Sequence, residues 1–305
     1  MSIAFEAKKA DSRLTVSSYE NGELTGTAEA ISDGVEWSRI TKVSVRPEYK
    51  GQGLEKELIR KLGSDLNGQH IFVLAEPEEF SLYEELGYLR SKTSFTYIDN
   101  VSKETFDAWE NRGLFLPEGF RYEEEFYPRK PFIDNGNVVK KEHVGEIRYS
   151  DSLEGVSLEE VNKVLSAAFG GHERDLNKTA DVFLRSQKVE IAYDGESIVG
   201  VARAVTDGVS EALILNVAVD PAYQGYHIGW NIVVNLSAQL PGYLIFLNTH
   251  PGAVGFYNRK GFRRNKTAFS VSPARPGAAP NPEITRGFTL PAGYRFPDEY
   301  PESTY

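Results

Sequence analysis

VAVDPAYQGYHIGWNIV, residues 217–233, repeats VSVRPEYKGQGLEKELI, residues 43–59, and this pair decides how the chain is built. In each, an apolar run stops at a proline, and a glycine-bearing turn then opens a second apolar segment: strand, turn, helix. The match extends both ways at a constant shift of 174 residues. ISDGVEW (31–37) meets VTDGVSE (205–211), and SLYEELGYLRSKTSF (81–95) meets GFYNRKGFRRNKTAF (255–269). RGLFLPEGFR (112–121) meets RGFTLPAGYR (286–295). Between residues 19 and 121 there are 31 identities in 103 ungapped positions, against roughly 6% for unrelated chains of average composition. A period this long excludes a solenoid. The chain is two copies of one domain, expected at 1–135 and 136–305, with the join in the polar, turn-rich stretch around 128–145.

The second copy reads as a mixed α/β sheet carrying helices. Strands are expected at 188–194, 198–206, 211–219, 243–248 and 266–272, with helices at 228–239 and 252–260, the latter ended by Gly261. Ahead of them, Val161, Val164, Leu165, Ala168 and Phe169 recur at helical spacing behind Ser157 and Glu160, a capping-box pair, and a second helix is expected near 178–186. The first copy has about a dozen residues in that place, too few for the helical pair, so its N-terminus is either bare or a strand with another job. The Pro-rich tail from 273 is expected to be mostly loop, ending in a strand near 292–297. The repeated RGxxLPxGxR reads as structural punctuation that seals the copies together. Trp37, Trp109 and Trp230 are scattered, as core or interface residues are.

Composition narrows the function. The chain has 305 residues, 44 acidic and 34 basic, a net charge of −10, which argues against a nucleic-acid footprint and mildly favours cationic or amine partners. With no cysteine there is no disulfide, thiolate metal site or cysteine nucleophile. No apolar run is long enough to span a bilayer, and MSIAFEAKKADSR lacks the apolar core of a secretory signal, so a cytoplasmic location is expected. His172, His227 and His250 lack any short ligand spacing, so no metal is expected.

The chemistry centres on LNVAVDPAYQGYHIGWNIVV (215–234). The first N–H groups of a helix have no internal partner and sit at its positive end, and small residues let phosphate oxygens reach them. This segment resembles the GCN5-related N-acetyltransferase family, whose signature is strand, proline, then Q/R-x-x-G-x-G/A. Gln224, Gly225, Tyr226, His227, Ile228 and Gly229 occupy it, with His227 in place of the first glycine. The first copy offers Lys50, Gly51, Gln52, Gly53, Leu54 and Glu55, where Lys50 and Glu55 depart from the pattern. A carboxylate at a helix start satisfies the dipole and repels a diphosphate, so the first copy reads as degenerate. The second landmark, apolar-Tyr-x-x-x-Gly-aromatic, appears at Phe256-Tyr257 to Gly261-Phe262 and at Leu82-Tyr83 to Gly87-Tyr88.

The resemblance implies two tandem acyltransferase domains, the second active, moving an acetyl group from acetyl-coenzyme A to a small or cationic amine. It implies that Tyr257 protonates the departing thiolate, against the plainer reading of a ring packed in the core. It also implies that the backbone of Val217, Ala218 and Val219 binds the pantetheine amides as an added strand and polarises the thioester carbonyl. The coenzyme set then runs from Gln224 through Gly229 to Trp230, with Asn248 or His250 on the pantetheine arm. Glu211, Glu173 and His172 are candidate bases, each more simply read as a solvated surface residue. The competing reading is a non-catalytic module that holds an acyl-coenzyme A, motivated by His227 in a glycine position. A two-domain aminoacyl-transfer enzyme is disfavoured by the acidity, since a tRNA-borne donor needs a basic groove.

Overall fold

The computed structural model describes residues 3–97, 102–125, 138–142, 144–258, 262–273, 284 and 286–299. The first copy contributes β1 (Ala4–Ala10), β2 (Arg13–Glu20), β3 (Glu23–Ser32), β4 (Trp37–Val45), α1 (Leu54–Asp65), β5 (His70–Leu74), α2 (Phe80–Glu85), β6 (Leu89–Arg90), β7 (Ser94–Tyr97) and α3 (Lys103–Asn111). The second contributes β8 (Ile147–Ser150), α4 (Leu158–Ala168), α5 (Leu176–Leu184), β9 (Lys188–Asp194), β10 (Ser197–Thr206), β11 (Glu211–Val219), α6 (Ile228–Ala238), β12 (Leu244–Asn248), α7 (Val254–Asn258), β13 (Phe262–Arg264) and β14 (Ala268–Val271).

These strands form two seven-stranded sheets, ordered β1-β2-β3-β4-β5-β14-β6 and β13-β7-β12-β11-β10-β9-β8. Each sheet thus takes one strand from the other copy. β14 lies between β5 and β6, pairing Phe269 with Val73 and with Arg90. β7 lies between β12 and β13, pairing Phe95 with Leu247 and with Arg264. The join expected near residue 135 falls outside the described residues, and sheet membership does not follow it. The copies are knitted by a reciprocal strand exchange.

The tails complete the knitting. Arg90 donates both terminal nitrogens to Glu299 (2.6 and 2.7 Å), and Arg264, shifted by 174, does the same to Glu125 (2.9 and 2.8 Å). The backbone repeats the reciprocity: Lys92 N–H donates to Phe288 C=O and Lys266 N–H to Leu114 C=O. The RGxxLPxGxR element therefore packs each copy's tail on the other's exchanged hairpin, where Leu116, Tyr122, Leu290 and Phe296 form a small shared core.

Within each copy one helix packs closely on the sheet. A Cβ on Gly26 would sit 2.9 Å from Leu58 of α1, and one on Gly200 would sit 2.6 Å from Ile232 of α6. The repeated glycine lets the helix approach. On the opposite face of the second sheet lie α4, capped by Ser157 accepting from Glu160 N–H (3.2 Å), and α5, capped by Asp175. Among the described residues the first copy has no such pair, and β1 forms the edge of its sheet.

Three expectations need correction. No strand forms at 292–297, where a turn leads into the 3-10 turn Pro297–Glu299, consistent with two prolines in seven residues. The strand expected at 266–272 forms as the shorter β14, and the unexpected β13 precedes it, the two joined by Asn265, Lys266 and Thr267, which cross between sheets. The helix expected at 252–260 is a 3-10 turn followed by α7, and Gly261 lies outside the described residues.

Candidate active site

β11 and β12 run parallel only from Glu211↔Leu244 to Ile214↔Leu247. Beyond that, β11 continues to Val219 against β10 alone, and the two strands part. The parting begins at a bulge: Arg203 pairs with Leu215 and Val201 with Ala218, so β11 holds one extra residue. Asn216 takes it up with a left-handed φ of 54°, and its Oδ1 accepts from Arg203 Nε at 2.6 Å. Before the bulge Leu213 and Leu215 face the first copy, whereas Val217 and Val219 after it join the core beneath α6. The backbone of 215–219 thus lines a wedge between two strands, as an incoming extended chain with amides would require.

At the end of β11, Asp220 caps a 3-10 turn by accepting from Ala222 N–H at 2.8 Å, and Gln224 Nε2 donates back to Val219 C=O at 3.2 Å. Gly225 (φ 100°) and His227 (φ 61°) then turn the chain into α6. No side chain caps this helix start and no acidic residue stands in its first turn, so its leading N–H groups are open to a diphosphate. Gly229 keeps the approach narrow, since a Cβ there would sit 3.3 Å from Val219. The His227 side chain is exposed instead of packed into the turn, as are those of Gln224 and Tyr226, while Ile228 is buried and Trp230 leans on Phe256. The first copy has Gly53 at φ 85° in the corresponding place, but Glu55 and Glu57 occupy the first turn of α1.

Tyr257 is 5% exposed. Its ring meets Phe256, Phe262 and, from the exchanged β7, Phe95 at 5.7 Å between centroids. Burial pushes the phenol well above its ordinary pKa, and a hydrogen bond with the Thr249 side chain opposes the shift only in part. The group is therefore a protonated acid at neutral pH, as a proton donor to a thiolate must be.

Other expected residues have partners of their own. Glu211 is ion-paired with Arg39 of the first copy, which also covers the Phe246 ring. The carboxylate is thus taken up by the contact between copies. Asn248 Oδ1 accepts from Ser91 (3.2 Å) and Thr93 (3.0 Å), so its carbonyl is spent between copies. His250 Nδ1 accepts from Gly252 N–H at 3.0 Å, capping the turn before α7, where Glu76 serves in the first copy. Glu173 and His172 are exposed on the α4–α5 connection. Missed in the sequence were Asn216, Arg203 and Phe95, and the linker lysines: Lys140 donates to the carbonyls of Pro221 (2.6 Å) and Gln224 (3.2 Å), bracing the turn. Among the described residues no group of three or more His, Asp or Glu side chains could hold a metal ion, and no helix is long and apolar enough to cross a membrane.

Family comparisons agree with this geometry. Models of an acetyltransferase (GNAT) domain match residues 3–100 and, separately, residues 185–264. The chain belongs to the GCN5-related N-acetyltransferase family. Among curated relatives in this family, it is 35% identical over 117 residues to GCN5-related N-acetyltransferase 1, chloroplastic, of Arabidopsis thaliana, which covers 36% of this chain and 58% of that one. It is 34% identical over 73 residues to the uncharacterized N-acetyltransferase ycf52 of Pyropia yezoensis, covering 23% of this chain and 42% of that one. The chain thus spans about half the length of the curated relatives it matches. Among solved structures, a tandem GNAT protein from the clavulanic acid biosynthesis pathway aligns over 86% of this chain and 84% of its own, with 12% identity and a TM-score of 0.46.

Proposed function

We propose that the second copy transfers an acetyl group from acetyl-coenzyme A to the amine of a small or cationic acceptor. The observation that carries this reading is the helix start of α6, uncapped and free of carboxylates behind a wedge opened by a bulge in the preceding strand; the first copy shares the bulge (Glu29↔Lys42, then Ala30↔Ile40) but carries Glu55 and Glu57 in the first turn of α1. The diphosphate sits on the N–H groups opening α6, and the pantetheine arm lies along Val217–Val219. The amine attacks the thioester carbon, the carbon–sulfur bond breaks, and the Tyr257 phenol gives its proton to the departing sulfur. Glu211 being tied to Arg39, the exposed Glu173 is the remaining carboxylate to take the proton that the amine sheds. The first copy, with Glu55 at its helix start, serves as scaffold.

Thiol release from acetyl-coenzyme A across a panel of primary amines tests the proposal. Turnover with at least one amine is expected. Saturable binding without turnover on any amine would favour the competing acyl-coenzyme A binding module, to which His227 at a left-handed, usually glycine, position points.

A further inference from the structure

Arg203 on β10 is wholly buried, and so is the carboxylate it meets, Asp33 of the first copy (2.7 Å). The same guanidinium holds the bulge residue Asn216 at 2.6 Å and reaches Ser186 Oγ of the second copy at 3.3 Å. Asp33 is itself fixed, its other oxygen accepting from the N–H groups of Val35, Glu36 and Trp37 at 2.8–3.0 Å. The next residues clamp the turn to the helical pair: Glu36 pairs with Lys178 of α5 at 2.8 Å, and Val35 packs on the core beneath α4. A rigid turn of one copy therefore reaches, through a single arginine, the residue that parts β11 from β12 in the other.

This device is one-sided. Shifting by 174 gives Asp207, which fixes its turn in the same way through the N–H groups of Val209, Ser210 and Glu211. It faces the first copy, where the arginine position holds Glu29 and the Asn216 position holds Lys42. There Asp207 and Glu29 line an open groove of about 440 Å³ together with Lys8 and Arg13, and the cation whose charge Asp207 meets is Arg39, which belongs to the first copy's β4 and pairs with Glu211. Two carboxylates cannot make the contact that Asp33 and Arg203 make.

We infer that Asp33 is a positioning residue for the second copy's thioester site, acting through Arg203 on the Asn216 bulge that presents the Val217–Val219 backbone. The first copy, which lacks a competent coenzyme turn, then contributes to the neighbouring one. This inference rests on reading the wedge as an acyl-coenzyme A site.

The test uses the full chain and Asp33→Asn, which keeps an oxygen for the three turn N–H groups but removes the charge that Arg203 needs. Without ligand, amide exchange at 216–219 should quicken about tenfold while 224–230 stays unchanged. The acetyl-coenzyme A Kd should rise about tenfold, whereas 3′-phosphoadenosine 5′-diphosphate, which has the phosphates but no pantetheine arm, should bind as before. Glu299→Gln, which breaks a buried inter-copy pair remote from the bulge, should lower the melting temperature without either change. If Asp33→Asn does not fold, Asn216→Gly keeps the Asp33–Arg203 pair and tolerates the left-handed φ, and it should show the same two changes. The inference is overturned if the folded variant matches Glu299→Gln, destabilised but with wild-type exchange at 216–219 and wild-type acetyl-coenzyme A affinity. Failure of the wild-type chain to bind acetyl-coenzyme A would instead sink the acyl-coenzyme A reading, leaving the ligand-free exchange result to judge the bracing.

Discussion

Val189, Ile191, Ile198, Val201 and Ala218 of the second copy stand at the positions of Thr15, Ser17, Leu24, Thr27 and Ser44 of the first, shifted by 174. The first set packs under α4 and α5; the second is exposed or half-buried on the sheet face opposite α1, which has no helical cover among the described residues. Covering that face inserts Val161, Leu165, Val182 and Phe183 into a core, each side chain adding about 1.5–3 kcal/mol of apolar burial. Only one copy carries the cover, the left-handed bulge residue and a helix start free of carboxylates. The comparison teaches that the copy with carboxylates at its helix start is also the one whose outer sheet face is bare, while the exchanged strands tie both copies into the same two sheets.

Seven substitutions break or sharpen that contrast. The largest effect is expected where the copies do not differ. Glu125→Gln and Glu299→Gln each leave an arginine that is 2% exposed without its carboxylate, so each should cost about 3 kcal/mol in urea unfolding. Wild-type unfolding should be a single transition, since neither sheet is complete without the other copy. Burial raises the pKa of both carboxyls, but their bonds to Arg264 and Arg90 outweigh it and hold them below the ordinary 4.5. Their stabilisation is present at neutral pH and lost as acid takes the pH down through those lowered values, so the double variant should lose less stability on acidification than the wild type. Two separate transitions would contradict the strand exchange.

Next comes Tyr257→Phe, expected to cut turnover about 100-fold, against no change for Tyr83→Phe, which is equally buried in the first copy. Equal effects would make both tyrosines packing residues. Gly229→Glu, which gives the second copy the residue that the first has at Glu55, should weaken acetyl-coenzyme A at least tenfold by calorimetry. Glu55→Gly alone should create no second site, because the first copy also lacks the bracing arginine. The smallest effect is for His227→Gly: relief of the left-handed φ, less the entropy that glycine adds to the unfolded chain, should gain about 0.5 kcal/mol. Its coenzyme affinity should hold, since the ring is exposed.

The duplication, the turn at 221–229 and the buried tyrosine were legible because they rest on local spacing. The exchange was not, and the reason is physical. β7 reads SFTY and β14 reads AFSV, each preceded by Lys-Thr, so either strand fits either slot and no sequence pattern prefers one pairing. The partners of Glu211 and Asn248 were hidden for the same reason: Arg39 and Thr93 are brought to them only by the contact between copies. Helix α3 left a fainter trace, Ser102 as its cap accepting from Thr105 N–H, which a search for caps ahead of Trp109 could have found.

The central claim is that one copy binds the coenzyme and the other does not. Amide hydrogen exchange of the whole chain with and without saturating acetyl-coenzyme A tests it most directly. The account predicts added protection at 217–219 and 224–230, and unchanged exchange at 43–45 and 50–56. Equal protection of both turns, or none at either, would contradict it.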